Sequence, residues 1–378
     1  MRPILLTALV LSALAIVPRT ASGTRPASFY EGDRETQLAL ARHVAQTIAG
    51  VPTANDFGTG SRRFDGEWLF GTYQMAALGL GQVALAHPDT RAELVPVMDR
   101  ALERMLSPEV LSIGTDAWGD NGIRHLEGGR GHAYLGYANL ALGMMRIVDP
   151  TTRFAPLHDR LTAELARRVE RSPYGLFETY PGESYPVDVS ATIGSLGLYD
   201  RATGTDHREL IARWRDVVER HYLDGRTGLL FQVAHARSGR PRGQPRASGT
   251  ALAAYFLSFA DREFAGSLHD GLDRSCRVDF AGFTVMREYA RGTFGRGDID
   301  SGPDALGAGL SATGFALGSA RTLGREDLFT GIGRTADVFG LPIEHDGVLE
   351  YGSGGPIGNA IMLAMLTAGP GSTEARQP

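Results

Sequence analysis

The chain has 378 residues, of which 43% are hydrophobic, 8% aromatic and 21% charged. This composition is typical of a globular protein with a sizeable core and excludes disordered, collagen-like and coiled-coil chains. The net charge of −5 and the complete absence of lysine exclude a basic nucleic-acid binder and any enzyme that needs a Schiff-base or P-loop lysine.

The N-terminus has the pattern of an export signal. Arg2 precedes an apolar run over residues 4–17, and the small residues Ala21 and Gly23 stand where a signal peptidase cleaves. We therefore predict a signal peptide over residues 1–23 and a periplasmic or secreted protein, with an uncleaved anchor as the alternative. The run is too short to cross a bilayer comfortably, and no later segment reaches about eighteen apolar residues without a charge, so stable membrane insertion is not expected.

Apolar residues with a period of 3.6 predict twelve helices along the chain. They cover residues 34–49, 67–86, 90–106, 131–147, 154–171, 187–202, 206–221, 248–260, 262–273, 304–322, 325–340 and 355–367. From 67–86 onward, every second helix is rich in Gly, Ala, Ser and Leu and poor in charge, whereas those between have a charged face. Such alternation predicts an inner and an outer ring, an all-α (α/α)6 barrel; an open helical solenoid is the alternative.

A connection rich in Gly, Pro or acidic residues precedes each low-charge helix. These connections are residues 64–67, 128–132, 181–188, 246–249, 298–304 and 351–356. In a barrel they meet at one rim, where six helix N-termini favour negative charge. No linker interrupts the pattern, so we predict one catalytic domain over residues 29–368, followed by a polar tail over 369–378.

Two of these rim segments are strongly acidic. Residues 177–188 contain three carboxylates and two tyrosines, and residues 297–304 contain three aspartates. Acids at helix starts are often caps, which is the alternative for Asp188 and Asp304. Paired carboxylates also serve general acid–base chemistry, because different environments can separate their pKa values.

No motif for a metal or a cofactor is found, and neither is expected. The segment from Asp298 to Asp304 resembles a calcium loop but lacks the correctly placed glycine and the terminal Glu. HExxH, GxSxG and a strand-linked GxGxxG are absent. The lone Cys276 is interpreted as a buried apolar residue rather than a nucleophile.

Several stretches resemble the linalool dehydratase/isomerase family. The clearest are Tyr134 to Leu140, Leu142 to Val148 and Ser195 to Asp206. Weaker similarity covers most of the remaining chain after the signal, including Asp56-Phe57. The resemblance implies an exported, cofactor-independent (α/α)6 barrel whose chemistry uses an aspartate, a tyrosine, a histidine and two cysteines.

Carried over residue by residue, the family's aspartate corresponds to Asp56 and its histidine to Tyr137. The two cysteines correspond to Thr179 and Asp188, and the tyrosine falls in a gapped region near Arg62 where it is not assigned. The resemblance therefore implies a site in the same place, with carboxylates and phenols replacing thiols.

These observations together predict a lyase or isomerase acting on a small hydroxylated substrate. Asp188 and Asp56 are the expected acid and base, Tyr137 and His132 orient the leaving oxygen, and Asp300 supports the site. The expected substrate-binding residues are Trp118, Asp120, Glu178, Thr179, Tyr180, Tyr185 and Tyr351.

The sequence leaves two other functions open. One is a glycoside hydrolase or polysaccharide lyase with paired carboxylates, and the other is a non-catalytic binding protein on the same fold. The expected partner is a small-molecule substrate and not a nucleic acid; whether the chain forms a homo-oligomer is left open.

Overall fold

A computed structural model describes residues 23–124, 126, 131–293, 295, 304–305 and 307–369. The helices are α1 (Arg25–Glu31), α2 (Arg34–Ala49), α3 (Arg62–Ala86), α4 (Arg91–Met105), α5 (Ser112–Trp118), α6 (Leu135–Val148), α7 (Ala155–Arg171), α8 (Pro186–Thr203), α9 (Arg208–His221), α10 (Ala247–Leu257), α11 (Arg262–Cys276), α12 (Leu310–Thr322), α13 (Glu326–Phe339) and α14 (Gly355–Leu366). The predicted signal segment, apart from Gly23, and most of the polar tail lie outside these residues.

Six helices form a closed inner ring. Helix α3 packs on α6, α6 on α8, α8 on α10, α10 on α12, α12 on α14, and α14 returns to α3. The amphipathic helices pack outside them; for example, α4 lies on α3, α11 on α10 and α13 on α12. The predicted (α/α)6 barrel is confirmed, and the open solenoid is excluded because the ring closes.

The inner helices are rich in small residues because they touch neighbours on several sides. A β-carbon at Gly194 of α8 would lie 2.3 Å from the backbone oxygen of Phe256 in α10. One at Gly79 of α3 would lie 2.6 Å from Leu363 Cγ in α14. Glycine at these positions lets the helix backbones approach closely enough to close the ring.

Four short antiparallel hairpins accompany the helices in the described part of the chain. They pair β1 (Phe231–Ala234) with β2 (Pro241–Pro245), β3 (Arg277–Phe280) with β4 (Phe283–Met286), β5 (Asp304–Ala305) with β6 (Ala308–Gly309), and β7 (Pro342–His345) with β8 (Val348–Tyr351). Each precedes or follows a ring helix, so the hairpins lengthen the rim connections.

Three helix starts differ from the prediction in ways that affect the rim. Helix α12 begins at Leu310 rather than at residue 304, because β5 and β6 occupy Asp304–Ala305 and Ala308–Gly309. Helix α3 begins at Arg62 rather than at residue 67, with the Ser61 hydroxyl accepting a hydrogen bond from Phe64 N–H at 3.5 Å. Helix α6 begins at Leu135 rather than at residue 131, because Gly131 and His132 have left-handed φ angles of 69° and 56°.

None of the helices in the described ranges combines the length and the apolar character that a membrane crossing requires. Cys276 is fully buried at the end of α11, and burial raises the pKa of its thiol to about 12. A thiol held in its protonated form is a poor nucleophile, which agrees with the structural interpretation of this residue.

Candidate active site

A cavity of about 680 Å³ lies at the N-terminal ends of the inner helices. Residues of all six inner helices or of the connections that precede them line it, and most of the lining is apolar. Leu310 and Phe339 belong to the lining yet are 65% and 70% exposed, so they lie at the cavity mouth. A site of this size and character suits a small, largely apolar molecule.

Asp188 is the buried carboxyl group of this cavity. It lies in the first turn of α8, where Tyr185 is the N-cap residue and gives no side-chain cap. Tyr137 Oη donates a hydrogen bond to Asp188 Oδ1 at 2.8 Å, and Thr179 Oγ1 donates to Oδ2. Both carboxyl oxygens of Asp188 thus bond to side chains of other elements, which argues against a capping role.

Burial raises the pKa of Asp188 from 3.8 to about 6. The hydrogen bonds from Thr179 and Tyr137 favour the ionised carboxylate and oppose this increase, whereas the nearby negative charge of Glu67 adds to it. A carboxyl group with a pKa near neutrality can either donate or accept a proton under physiological conditions, which is the requirement for general acid–base catalysis.

Three of the residues matched to the family's site come together here. Tyr137 lies on α6, Thr179 in the connection before α8, and Asp188 on α8. The Thr179 backbone is held at both polar groups, because its N–H donates to the Glu183 carbonyl at 2.8 Å and its carbonyl accepts from Trp118 Nε1 at 2.9 Å. Trp118 therefore positions the connection that carries Thr179 and is not itself part of the cavity lining.

A second acidic cluster forms the adjoining wall. Tyr180 Oη donates to Glu67 Oε1 at 2.6 Å, and Arg63 Nε donates to the same oxygen at 3.1 Å. Arg63 also bonds Glu183 Oε2 at 2.6 Å, while Tyr185 Oη donates to that oxygen at 2.8 Å. Burial raises the pKa values of Tyr180 and Tyr185, so both phenols stay hydrogen-bond donors.

Arg63 and Glu67 also line the cavity, although neither was predicted as a site residue from the sequence. They are four residues apart on α3 and form an ion pair on one helix face. The prediction treated residues 64–67 as a connection, which hid this i,i+4 pattern. A helix start at Ser61, a good N-cap residue, is the signal that points to it.

His132 lies behind the cavity wall rather than in it. Its ring bonds Tyr134 Oη at 3.1 Å through Nδ1 and Asp120 Oδ1 at 2.9 Å through Nε2. Burial lowers the pKa of His132, and the bond to Asp120 opposes this decrease. Tyr134 does line the cavity, so His132 and Asp120 can act on a substrate only through Tyr134.

The other predicted residues are distributed more widely. Asp56, the expected base, is exposed and lies outside the cavity lining. Its Oδ2 accepts hydrogen bonds from Thr53 N–H at 2.6 Å and from Thr53 Oγ1 at 3.0 Å. These bonds belong to a capping box at the start of a short 3₁₀ helix. Glu178 is half-buried outside the lining and accepts from Ala133 N–H through its backbone carbonyl. Asp300 lies outside the described residues.

Tyr351 belongs to the opposite wall of the barrel mouth. It lines the cavity from the end of β8, and its Oη donates to Asp337 Oδ1 at 3.2 Å. Burial raises the pKa of Tyr351 well above its usual value. The residue therefore has the contact with the cavity that was expected of a substrate-binding residue.

No group of three or more His, Cys, Asp or Glu side chains within the described ranges is placed to hold a metal ion. Asp298 and Asp300 of the candidate calcium segment lie outside those ranges, and only the backbone of Asp304 lies within them, in β5.

The fold and the cavity define an (α/α)6-barrel protein with a buried carboxyl group in a cavity at the rim. The chain belongs to the linalool dehydratase/isomerase family, whose model matches residues 139–355. Solved structures of glycoside hydrolases share the fold at low sequence identity. The α-1,6-mannanase GH76A of Salegentibacter sp. HEL1_6, as an inactive variant with α-1,6-mannotriose, is 10% identical with a TM-score of 0.54, covering 87% of this chain and 97% of its own.

A glycoside hydrolase of family 105 from C. acetobutylicum ATCC 824 is likewise similar to the chain. It is 11% identical with a TM-score of 0.51, and the match covers 78% of this chain and 92% of that protein. At these identities the two hydrolases show the barrel fold and leave the reaction to be argued from the site.

Proposed function

We propose that this protein is a cofactor-independent lyase or isomerase that eliminates or moves the hydroxyl group of a small apolar alcohol. The observation that carries the proposal is a single buried carboxyl group, Asp188, held by a phenol and a hydroxyl at the edge of a mainly apolar cavity. Membership of the linalool dehydratase/isomerase family supports the same chemistry.

Asp188 is the general acid in this mechanism. Hydroxide is a poor leaving group, so loss of the substrate hydroxyl requires protonation of its oxygen as the C–O bond breaks. With a pKa of about 6, Asp188 is protonated over a useful pH range and can donate that proton. Tyr137, bonded to Asp188 Oδ1, orients the carboxyl group and is placed to contact the leaving oxygen.

Glu67 takes the role of base that was expected of Asp56. Its carboxylate lines the same cavity as Asp188 and is close enough for its charge to raise the Asp188 pKa. Removal of a proton by Glu67 from the carbon adjacent to the one that loses the hydroxyl leaves an alkene and water. If water instead adds at the other end of an allylic system and gives up a proton to Glu67, the product is the isomeric alcohol. The bonds from Tyr180 and Arg63 fix Glu67 in place for this step.

The second candidate, a glycoside hydrolase, is favoured by three carboxyl groups in one cavity, those of Glu67, Glu183 and Asp188, and by the barrel shared with the mannanase and the family 105 enzyme. Against it, the lining is mainly apolar, and Trp68 is the single tryptophan among the lining residues. The inactive mannanase variant is changed at two consecutive aspartates, and this sequence has no consecutive aspartates. A binding protein is less well supported, because the family to which the chain belongs is a dehydratase/isomerase family.

The test is product formation from a panel of alcohols without any added cofactor. Purified protein is incubated with primary, secondary and tertiary allylic alcohols and, separately, with α-1,6-linked mannooligosaccharides, and the products are identified by mass spectrometry. We expect an alkene or a rearranged alcohol from one member of the first group. Asp188→Asn should lower turnover by about 10² to 10⁴, whereas Asp56→Asn, the matched control outside the cavity, should leave it unchanged. Release of mannose instead would establish the hydrolase.

We also propose that the protein is exported, on the basis of the sequence pattern over residues 1–23. The intact mass of the mature protein tests this directly. Cleavage after Gly23 gives a chain that begins at Thr24, and a mass that still includes residues 1–23 would contradict the proposal.

A further inference from the structure

Gln74 stands out among the residues that line the cavity. It lies on α3, is fully buried, and has no hydrogen-bond partner for either Oε1 or Nε2 among the residues that the structure describes. Neither amide atom reaches solvent. A buried amide with both polar atoms unpaired costs free energy, and such groups in a folded protein call for an explanation.

Gln82, two turns further along the same helix, shows what a structural glutamine looks like in this protein. Its Nε2 donates to the Ala364 carbonyl at 2.8 Å and to Thr367 Oγ1 at 3.0 Å, and its Oε1 accepts from Tyr255 Oη at 3.0 Å. Gln82 thus joins three inner helices or their ends. Gln74 is also a buried glutamine of this helix, but its amide forms no hydrogen bond with any described residue.

Position along α3 relates Gln74 to the acid–base site. Glu67, Gly71 and Gln74 are spaced as one helix face, and all three line the cavity. At 1.5 Å per residue, Gln74 lies about 10 Å along the helix axis from Glu67. Met75, the lining residue that follows it on the helix, is apolar.

We propose that Gln74 is a specificity-determining residue, whose amide turns into the cavity and pairs with a second oxygen of the substrate. The proposal rests on the proposed function only in taking the cavity as the place where an alcohol binds. A terminal amide can rotate about three side-chain torsions, and it offers both a donor and an acceptor. The preferred ligand is therefore an apolar chain with a hydroxyl at the acid–base end and another oxygen at the far end.

The first experiment compares two leucine substitutions without ligand. Gln74→Leu removes no hydrogen bond, so its Tm should equal or exceed that of the wild type. Gln82→Leu, the matched control, removes three hydrogen bonds and should lower Tm by about 3 to 8 °C. If Gln74→Leu is destabilised as strongly as Gln82→Leu, Gln74 is structural and the proposal is wrong. Gln74→Met serves as a second variant if the leucine protein does not fold.

The second experiment measures binding and needs no turnover. Linear primary alcohols from hexanol to decanol are compared with the α,ω-diols of equal length by calorimetry and thermal shift. The wild type should bind one of the diols about tenfold more tightly than its mono-alcohol, because a site built to pair a polar group discriminates against ligands that lack it. Gln74→Leu should abolish the preference and retain mono-alcohol binding within about twofold.

Three results would overturn the proposal: no diol preference in the wild type, a preference that survives in Gln74→Leu, or no binding of either class to the wild type. The binding measurement tests the recognition role of Gln74 separately from the proposed reaction. Binding that depends on Gln74 without any product from alcohols would contradict the lyase or isomerase and leave the recognition role standing.

Discussion

The raised pKa of Asp188 has a consequence for folding stability that needs no substrate. In the folded protein the group titrates at about 6, and its ordinary value is 3.8. Between these two values the unfolded chain releases the proton while the folded protein retains it, so stability falls as pH rises through this window. Below it, both states are protonated and the contribution vanishes.

The size of the effect follows from the shift. Each pKa unit corresponds to 1.36 kcal/mol, so a rise from 3.8 to about 6 costs about 3 kcal/mol at pH 7. Asp188→Asn removes the titration but keeps the shape. The stability of the Asn variant relative to the wild type should therefore increase by about 2 kcal/mol between pH 4, where the unfolded group is already partly ionised, and pH 7, or about 3 °C in Tm for a chain of this length.

Urea denaturation of both proteins at half-unit pH steps measures this difference. The substitution also changes the bonds with Tyr137 and Thr179, which adds an offset that does not depend on the titration of Asp188. Only the change with pH is therefore diagnostic. A difference that stays constant within about 0.5 kcal/mol from pH 4 to pH 7 would refute a raised pKa at Asp188 and, with it, the reasoning for the general acid.

Three further outcomes are expected. Tyr137→Phe removes a hydrogen bond that favours the ionised carboxylate of Asp188, so the pKa of Asp188 should rise further. In the same urea series, the fall in stability should therefore continue to a higher pH than in the wild type. An unchanged pH range would show that the bond has no effect on this pKa. Asp56→Ala should cost about 0.5 to 2 kcal/mol in thermal unfolding, because it removes a cap, with no effect on turnover. Glu67→Gln should reduce turnover at least about 100-fold in the alcohol assay while Tm changes by only a few degrees; full activity would remove it as the base.

The barrel was predictable because its signal is repeated along the chain. Six low-charge helices alternate with six amphipathic ones, and an error at one boundary leaves the pattern intact. The hairpins were missed because strands such as Asp304–Ala305 and Ala308–Gly309 are too short to show a period of two. Residues whose position depends on such short hairpins can be placed only from the structure.

A site residue was predictable when a single helix or rim connection determines its position in the barrel. The other residues were less predictable. Asp188 and Thr179 belong to one acidic connection, and Tyr137 follows the glycine-rich one, so their meeting at the rim follows from the barrel. Asp56 was selected by resemblance alone, although Thr53-x-x-Asp56 is itself a capping pattern. Gln74 gave no signal, because a lone glutamine on an apolar helix is indistinguishable in sequence from the paired Gln82.

The most direct test of the central claim, that Asp188 is the proton donor, is the pH dependence of kcat/KM on an alcohol that the wild type converts. Activity should fall about tenfold per pH unit above a pKa of about 6, because kcat/KM reports the essential acid of the free enzyme. In Tyr137→Phe the same descending limb should move to higher pH. A limb at the same pH in both proteins, or substantial activity in Asp188→Asn, would contradict Asp188 as the acid.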